Sequence, residues 1–332
     1  MRRREFITLL SGAVALWSQA ARAQNPGGVR RIGVLLSLAE TDPEGKAQLS
    51  GFTQGLAELG WIDGRNLQME IRWGRGDIDR IRTFAKELVV LQPDVILSHG
   101  TPVTAALHRE TRTIPIVFVT VSDPVGDGFV AGLPHPGGNI TGFLTSESTI
   151  TAKMFELLTE IAPGLKRVAI LFNPDTAPGG GTYYFRDFEP AVRSTNVEPI
   201  AARAQSDAEI EAIVTSLGGE PGGGLIIMPD YFMLNHIRSI TSLAARNNIP
   251  AIYPWRSVVA DDGALFSYGP DLRDIVRRGA PYVDRILRGE KPADLPVQVP
   301  VKFEMAVNAN TAKALGLAVP QSIRLRADEV IE

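Results

Sequence analysis

The chain has 332 residues, no cysteine and a formal net charge of −3. Without cysteine there is no disulfide framework and no cysteine-based metal or thiol chemistry, so core packing must stabilise the fold. The mildly acidic composition, with 34 lysines and arginines against 37 aspartates and glutamates, argues against a nucleic acid or an anionic membrane as the partner. The length favours two domains over one.

The first residues have the pattern of an export signal. Arg3-Arg4-Glu5-Phe6-Ile7 is a twin-arginine motif, an apolar stretch runs from Ile7 to Trp17, and Ala21-Arg22-Ala23 is a small-residue cleavage site. The apolar stretch is too short for a transmembrane helix. We therefore predict a leader at residues 1–23, a mature chain that begins at Gln24, and a soluble protein in the periplasm. A retained N-terminal amphipathic helix is the alternative.

The next part of the chain alternates strands and helices. Strands are predicted at 31–36, 67–73, 94–97 and 114–119, helices at 46–59 and 78–91, and a short helix after Pro102. Continuous apolar strands between amphipathic helices are typical of a parallel sheet that is covered on both faces.

The same alternation then begins again. Strands are predicted at 166–172, 197–201, 224–228 and 249–253, and helices at 183–194, 208–217 and 237–246. Thr113-Ile114-Pro115-Ile116-Val117 resembles Asn248-Ile249-Pro250-Ala251-Ile252, and each segment is the fourth strand of its half. This internal similarity predicts two similar lobes in tandem. One large doubly wound domain is the alternative.

The last part of the chain belongs to no third repeat. It contains a predicted strand at 264–268, a long helix at 271–287, an extended segment at 298–307 and a short helix at 311–315. These pieces predict exchange between the lobes, with crossings near 142–146, 268–271 and 299–304. The predicted fold class is α/β, with two Rossmann-like lobes whose parallel sheets are joined by a multi-crossing hinge. The N-terminal lobe is predicted at 24–143 plus 269–300, and the C-terminal lobe at 144–268 plus 301–332.

Polar residues cluster where the predicted strands end, which is where open α/β sheets bind ligands. The free N–H groups at Thr101 open a helix and suit a ligand carboxylate, whereas Asp123 suits an ammonium group. A tyrosine of the 183–184 pair is expected to wall an apolar or aromatic side chain, and each aspartate or asparagine is alternatively a helix cap or a turn former. The candidate ligand-binding residues are Ser37, Gly100, Thr101, Ser122, Asp123, Asn173, Tyr184, Asp230, Tyr231 and Trp255.

Motifs for catalysis and for cofactors are missing. The four histidines show no metal-ligand spacing, and there is no nucleophile elbow or phosphate loop. The glycine runs 179–181 and 222–224 lack dinucleotide-binding spacing and are interpreted as loops. The sequence therefore predicts no cofactor, no metal and no enzymatic activity. An exported oxidoreductase-like enzyme on a doubly wound fold is the alternative.

Several segments together resemble a known family. They are Arg31-Ile32-Gly33-Val34-Leu35, Leu59-Gly60-Trp61, Arg65-Asn66-Leu67, Ile114-Pro115-Ile116-Val117-Phe118, Asp123-Pro124-Val125, Pro136-Gly137-Gly138-Asn139-Ile140-Thr141-Gly142, Tyr282-Val283-Asp284-Arg285-Ile286-Leu287-Arg288-Gly289, Thr311-Ala312-Lys313-Ala314-Leu315-Gly316-Leu317 and Arg326-Ala327-Asp328-Glu329-Val330-Ile331. The chain resembles the ABC-transporter substrate-binding proteins of the tryptophan/tyrosine-binding-like family, over almost all of its predicted mature length.

The resemblance implies the type I periplasmic binding protein fold. It also implies a monomer that captures an amino acid or a similar small carboxylate between its lobes and presents it to an ABC permease in the inner membrane. A ligand-sensing partner of a membrane receptor would have the same fold, so transport and sensing both stay open.

Overall fold

The computed structural model describes residues 28–193 and 195–332. The predicted leader and its cleavage site lie outside these residues. The strands are β1 (Arg30–Leu36), β2 (Leu67–Trp73), β3 (Val95–His99), β4 (Ile116–Val121), β5 (Ile140–Leu144), β6 (Arg167–Phe172), β7 (Glu198–Arg203), β8 (Gly223–Ile227), β9 (Ala251–Tyr253), β10 (Phe266–Pro270), β11 (Phe303–Asn308) and β12 (Glu329–Ile331). The helices are α1 (Pro43–Glu58), α2 (Ile78–Val90), α3 (Thr101–Glu110), α4 (Thr149–Ile161), α5 (Thr182–Phe185), α6 (Phe188–Arg193), α7 (Asp207–Gly218), α8 (Tyr231–Asn235), α9 (Ile237–Arg246), α10 (Arg256–Asp262), α11 (Leu272–Leu287), α12 (Ala309–Ala314) and α13 (Gln321–Arg326).

The strands form two sheets. The first has the order β2-β1-β3-β4-β5 and is parallel throughout. The second has the order β12-β11-β10-β9-β8-β6-β7 and is parallel except where β10 pairs with β11. Strands β3, β4, β5 and β8 are buried along their whole length, because helices cover both faces of each sheet. The predicted fold class, two α/β lobes with parallel sheets, is confirmed.

A helix from late in the chain completes the first lobe. Helix α11 packs against α1, and its Val276 and Val283 share a buried core with Phe52. The two helices approach closely at Gly55, where an added Cβ would lie 2.9 Å from the Cβ of Ala280. A residue larger than glycine at this position would therefore push the helices apart.

Within residues 28–193 and 195–332, the chain passes between the lobes three times. It leaves the first sheet after β5 and enters α4, whose Met154 packs in the second lobe with Phe172 and Phe266. It returns from β10 to α11, and it passes again from α11 to β11. These passages lie at the segments where the sequence predicted crossings. The residue bounds of the two lobes stay a prediction.

Several element boundaries differ from the prediction. The predicted helix 183–194 is divided between α5 and α6, and the predicted strand 264–268 lies two residues later, at β10. The extended segment 298–307 becomes a strand only from Phe303, because Pro300 cannot donate to a ladder. Strand β5 was not predicted, and it passes so close to β4 that a Cβ on Gly142 would overlap the carbonyl oxygen of Phe118.

Candidate functional site

The carboxyl ends of the two sheets face each other across a cavity of about 330 Å³. The first lobe lines it with the loop after β1, the start of α1 and the ends of β3 and β4, and the second lobe with the loops after β8 and β9. Three of the predicted residues, Asp230, Tyr231 and Trp255, line this cavity. Because both lobes contribute walls, a molecule bound here would contact both.

Tyr231 reaches from the second lobe to the first. It begins α8, directly after the N-cap residue Asp230. Its hydroxyl oxygen lies 3.2 Å from His99 Nδ1 and 3.3 Å from Thr120 Oγ1. A Cβ on Gly100 would overlap this hydroxyl, so glycine is the residue that leaves room for the ring. The tyrosine thus makes a direct cross-lobe contact at the tips of β3 and β4.

His99 lies at the centre of this contact, although it was not among the candidate residues. It is buried, with Nε2 2.9 Å from Gln48 Oε1 and Nδ1 3.0 Å from Ser37 Oγ. Desolvation by burial lowers its pKa from 6.5 to about 4, so the ring is neutral near pH 7. With Gln48 Oε1 as the acceptor, Nε2 carries the proton and Nδ1 accepts from a hydroxyl group. The only sequence signal for this role was its place at a strand tip.

The start of α3, where an anion site was predicted, is covered from the second lobe. Thr101 is half-buried as the first residue of the helix, and Gly100 precedes it without a capping side chain. The Tyr231 ring stands over Gly100. Ser122 is buried at the end of β4. These residues therefore lie at the interface of the lobes, and their ligand role stays a prediction.

Asp230 connects two loops of the second lobe. Its carboxylate accepts hydrogen bonds from Asn173 N at 3.0 Å, Met233 N at 2.8 Å and Thr176 Oγ1 at 3.3 Å. Burial nevertheless raises its pKa to about 6. The side chain of Asn173 accepts from Asp175 N and forms a local turn. Both residues hold the strand tips of β6 and β8 in place.

Asp123 shapes the turn that follows β4. Its Oδ1 accepts from Gly126 N at 2.9 Å, and its Oδ2 lies 3.9 Å from Arg186 Nη2 on the opposite lobe. The neighbouring Asp127 has its pKa raised to about 6, first by desolvation and then by the negative charge of Asp123. Asp123, which was predicted to bind the ligand's ammonium group, therefore already accepts from Gly126 N and lies near the Arg186 guanidinium group.

The two tyrosines of α5 have different surroundings. The Tyr183 hydroxyl donates to the carbonyl oxygen of Ser146 at 3.0 Å, in the crossing between β5 and α4. Tyr184 is 1% exposed, and its ring packs edge-on against Phe172. Its hydroxyl has no hydrogen-bond partner among the described residues. Neither tyrosine is among the residues that line the cavity, so the ligand role of Tyr184 stays a prediction.

Trp255 lines the cavity and is the N-cap residue of α10. Near it, Arg273 donates from Nη2 to Glu44 Oε2 at 2.6 Å, which joins the start of α11 to the start of α1. In residues 28–193 and 195–332, no group of three or more histidine, aspartate or glutamate side chains is placed to hold a metal. In the same ranges, no helix has the length and apolarity to span a membrane.

Two α/β lobes with a cavity between the carboxyl ends of their sheets define a two-lobed ligand-binding protein. A family model described as ABC transporter substrate binding protein matches residues 32–331. The chain belongs to this family, as its sequence segments predicted.

Individual relatives agree with this assignment. The tyrosine-binding protein of Clostridioides difficile is 26% identical over 280 residues, which cover 84% of this chain and 78% of the relative. A conserved domain protein from Vibrio cholerae has a TM-score of 0.82 at 27% identity, with 91% of this chain and 99% of that chain covered. An ABC domain from Streptococcus pneumoniae in complex with L-Trp has a TM-score of 0.82 at 24% identity, with the same coverage. This similarity supports the two-lobed α/β fold.

Proposed function

We propose that this protein is the periplasmic solute-binding component of an ABC importer, and that it captures an amino acid or a similar small carboxylate between its lobes. The observation that carries the proposal is the cavity between the two sheets, about 330 Å³ in volume, with walls from both lobes. Cavities of small-molecule sites begin at about 300 Å³. A ligand of amino-acid size therefore suits it.

The lining favours a ligand with both polar and aromatic parts. Trp255 and Tyr231 offer aromatic surface, while Asp230 and His99 offer polar groups at the strand tips. Aromatic rings stabilise one another by edge and offset contacts in addition to apolar burial. The relatives named for tyrosine binding and solved with L-Trp make aromatic amino acids the first ligands to test.

Closure of the lobes is the proposed mechanism. A ligand that contacts both lobes stabilises the closed form by as much as it prefers that form over the open one. The TM-score with the L-Trp complex is 0.82, against 0.69 with a ligand-free, open substrate-binding protein from Clostridium difficile. The higher TM-score with the ligand complex than with the open protein supports a closed arrangement of the two lobes in this chain. The three passages between the lobes are the proposed hinge.

The test is a thermal-shift screen of the chain from Gln24 onward against the common L-amino acids, followed by calorimetric titration of the hits. A ligand present at a hundred times its Kd adds about 2.7 kcal/mol to the free energy of unfolding. Trp255→Ala should weaken binding about tenfold, which corresponds to about 1.4 kcal/mol. The control is Trp61→Ala, because Trp61 bonds to Asp284 away from the cavity. A panel without any shift would refute the amino-acid assignment.

A further inference from the structure

We propose that the ammonium group of the ligand is bound by Asp127, Ser146 and Tyr184, here named the head subsite. This inference rests on the proposed function and deepens it, because it assigns the ligand's charged end to particular atoms. Of these residues only Tyr184 was a candidate from the sequence. The others follow from where the structure leaves polar atoms without partners.

Three buried polar atoms of the head subsite have no hydrogen-bond partner in the described part of the chain. They are the Asp127 Oδ2, the Ser146 hydroxyl and the Tyr184 hydroxyl. Ser146 is 0% exposed and Tyr184 is 1% exposed. Native proteins keep few such atoms, and each one requires an explanation. A bound ligand that donates hydrogen bonds explains all three at once.

The three residues come from different parts of the fold, and two contacts connect those parts. Asp127 lies in the turn after β4, Ser146 in the crossing after β5, and Tyr184 on α5 of the second lobe. The hydrogen bond from the Tyr183 hydroxyl to the Ser146 carbonyl ties α5 to the crossing. The ion pair between Arg186 and Asp123 ties α5 to the β4 turn.

Electrostatics support the same placement. The pKa of the Tyr184 hydroxyl is raised chiefly by burial, and the negative charges of Asp230 and Asp127 raise it further. Asp230 also lines the cavity, as does Thr145, the neighbour of Ser146. Two residues that adjoin the head subsite therefore line the cavity between the lobes. A ligand with its side chain in the cavity could place its charged end here.

The chemistry of the subsite favours a cation. Asp127 has an unpartnered carboxylate oxygen and sits beside a second carboxylate, Asp123, whose own oxygens face Gly126 N and Arg186. An ammonium group brings three N–H donors. One carboxylate and two hydroxyl oxygens provide three acceptors for them. Asp127 thus replaces Asp123 as the proposed acceptor.

Calorimetric titration with defined probes tests the head subsite. The probes are L-tyrosine, L-tryptophan, tyramine, which lacks the carboxylate, and 3-(4-hydroxyphenyl)propanoate, which lacks the ammonium group. Tyr184→Phe, Ser146→Ala and Asp127→Asn should each weaken L-tyrosine or L-tryptophan binding about ten- to a hundredfold. Binding of the propanoate should change less than threefold.

Unfolding curves separate a binding role from a structural one. Removing an unpartnered hydroxyl should keep or raise the melting temperature of the unliganded Tyr184→Phe and Ser146→Ala variants. The matched control is Ser267→Ala, because Ser267 on β10 also has a buried, unpartnered hydroxyl but lies outside the subsite. Its substitution should leave affinity unchanged.

Each outcome decides between the two proposals. If the wild type binds an amino acid and all three variants bind it equally well, the head subsite is wrong and the proposed function stands. If the propanoate binds as tightly as L-tyrosine, the ammonium assignment is wrong. If the wild type binds neither these four probes nor any of the common L-amino acids, the amino-acid function and the head subsite are both overturned.

Discussion

The cross-lobe hydroxyl of Tyr231 should stabilise the closed form even without a ligand. Tyr231→Phe keeps the ring over Gly100 and removes the hydroxyl with its hydrogen-bond contacts, which include Ser37, His99 Nδ1 at 3.2 Å and Thr120 Oγ1 at 3.3 Å. A neutral hydrogen bond contributes about 0.5–1.5 kcal/mol net. Losing one such bond lowers the ratio of closed to open protein roughly two- to tenfold. Ligand affinity should fall by no more than the same factor, because only the closed population changes.

Small-angle X-ray scattering of the unliganded protein measures this shift. The Phe variant should have a larger mean radius of gyration than the wild type, and saturating ligand should bring the two curves together. Tyr253→Phe is the matched control, because that tyrosine is 1% exposed inside the second lobe and bonds to Thr241 there. It should lower the free energy of unfolding without opening the lobes. Identical unliganded curves for the wild type and the Tyr231 variant would refute the reasoning.

Three further perturbations follow from the sequence and the site. Arg3→Lys with Arg4→Lys should abolish export, and unchanged periplasmic yield would contradict the twin-arginine route. Gly100→Ala should weaken ligand binding at least tenfold, because the added Cβ displaces Tyr231. Gly60→Ala is the control for backbone strain alone, because Gly60 has a similar positive φ but open space around it. The His99 pKa of about 4 lies below its unfolded value of 6.5. The contribution of neutral His99 to the free energy of unfolding is therefore fully present above pH 6.5. It falls by about 3 kcal/mol as the pH falls toward 4. Denaturant titrations between pH 6.5 and 4 should show a smaller loss of unfolding free energy for His99→Gln than for the wild type. Equal losses in the two proteins would contradict the lowered pKa of His99.

The fold could be predicted because its signal is local. Short apolar runs such as 95–97 and 225–227 lie in fully buried strands, and parallel order follows from the helices between the strands. The repeated Ile-Pro segments at Pro115 and Pro250 mark β4 and β9, which occupy equivalent steps of the two lobes. Neither inference needs knowledge of distant contacts.

What the sequence missed depends on distant contacts. The antiparallel pairing of β10 with β11 joins residues on either side of a long helix that belongs to the other lobe. Strand β5 is short and contains Gly142, which weakens its strand pattern, and only the approach of Phe118 explains that glycine. Local propensity contains no information on either contact.

The site shows the same division. Their positions at strand tips made Asp230, Tyr231 and Trp255 candidates, and all three line the cavity. Their role in ligand binding stays a prediction. The pairing of His99 with Tyr231 spans 132 residues, so no spacing rule could reveal it. Asp127 lies beyond the strand tip and looks like an ordinary turn residue in the sequence. Its unpartnered oxygen is visible only in three dimensions.

The two tyrosines of the second lobe should act with opposite sign on closure. The Tyr231 hydroxyl gains partners in the closed form, whereas the Tyr184 hydroxyl is buried there without one, and a buried polar group without a partner disfavours the state that buries it. Tyr231→Phe should therefore open the unliganded protein, and Tyr184→Phe should close it. The double variant should have a radius of gyration between those of the single variants, because the substitutions remove different contacts. Scattering curves that shift in the same direction for both single variants would contradict these opposite effects. In this mechanism the ligand provides the missing hydrogen-bond partner of the Tyr184 hydroxyl and thereby stabilises the closed form.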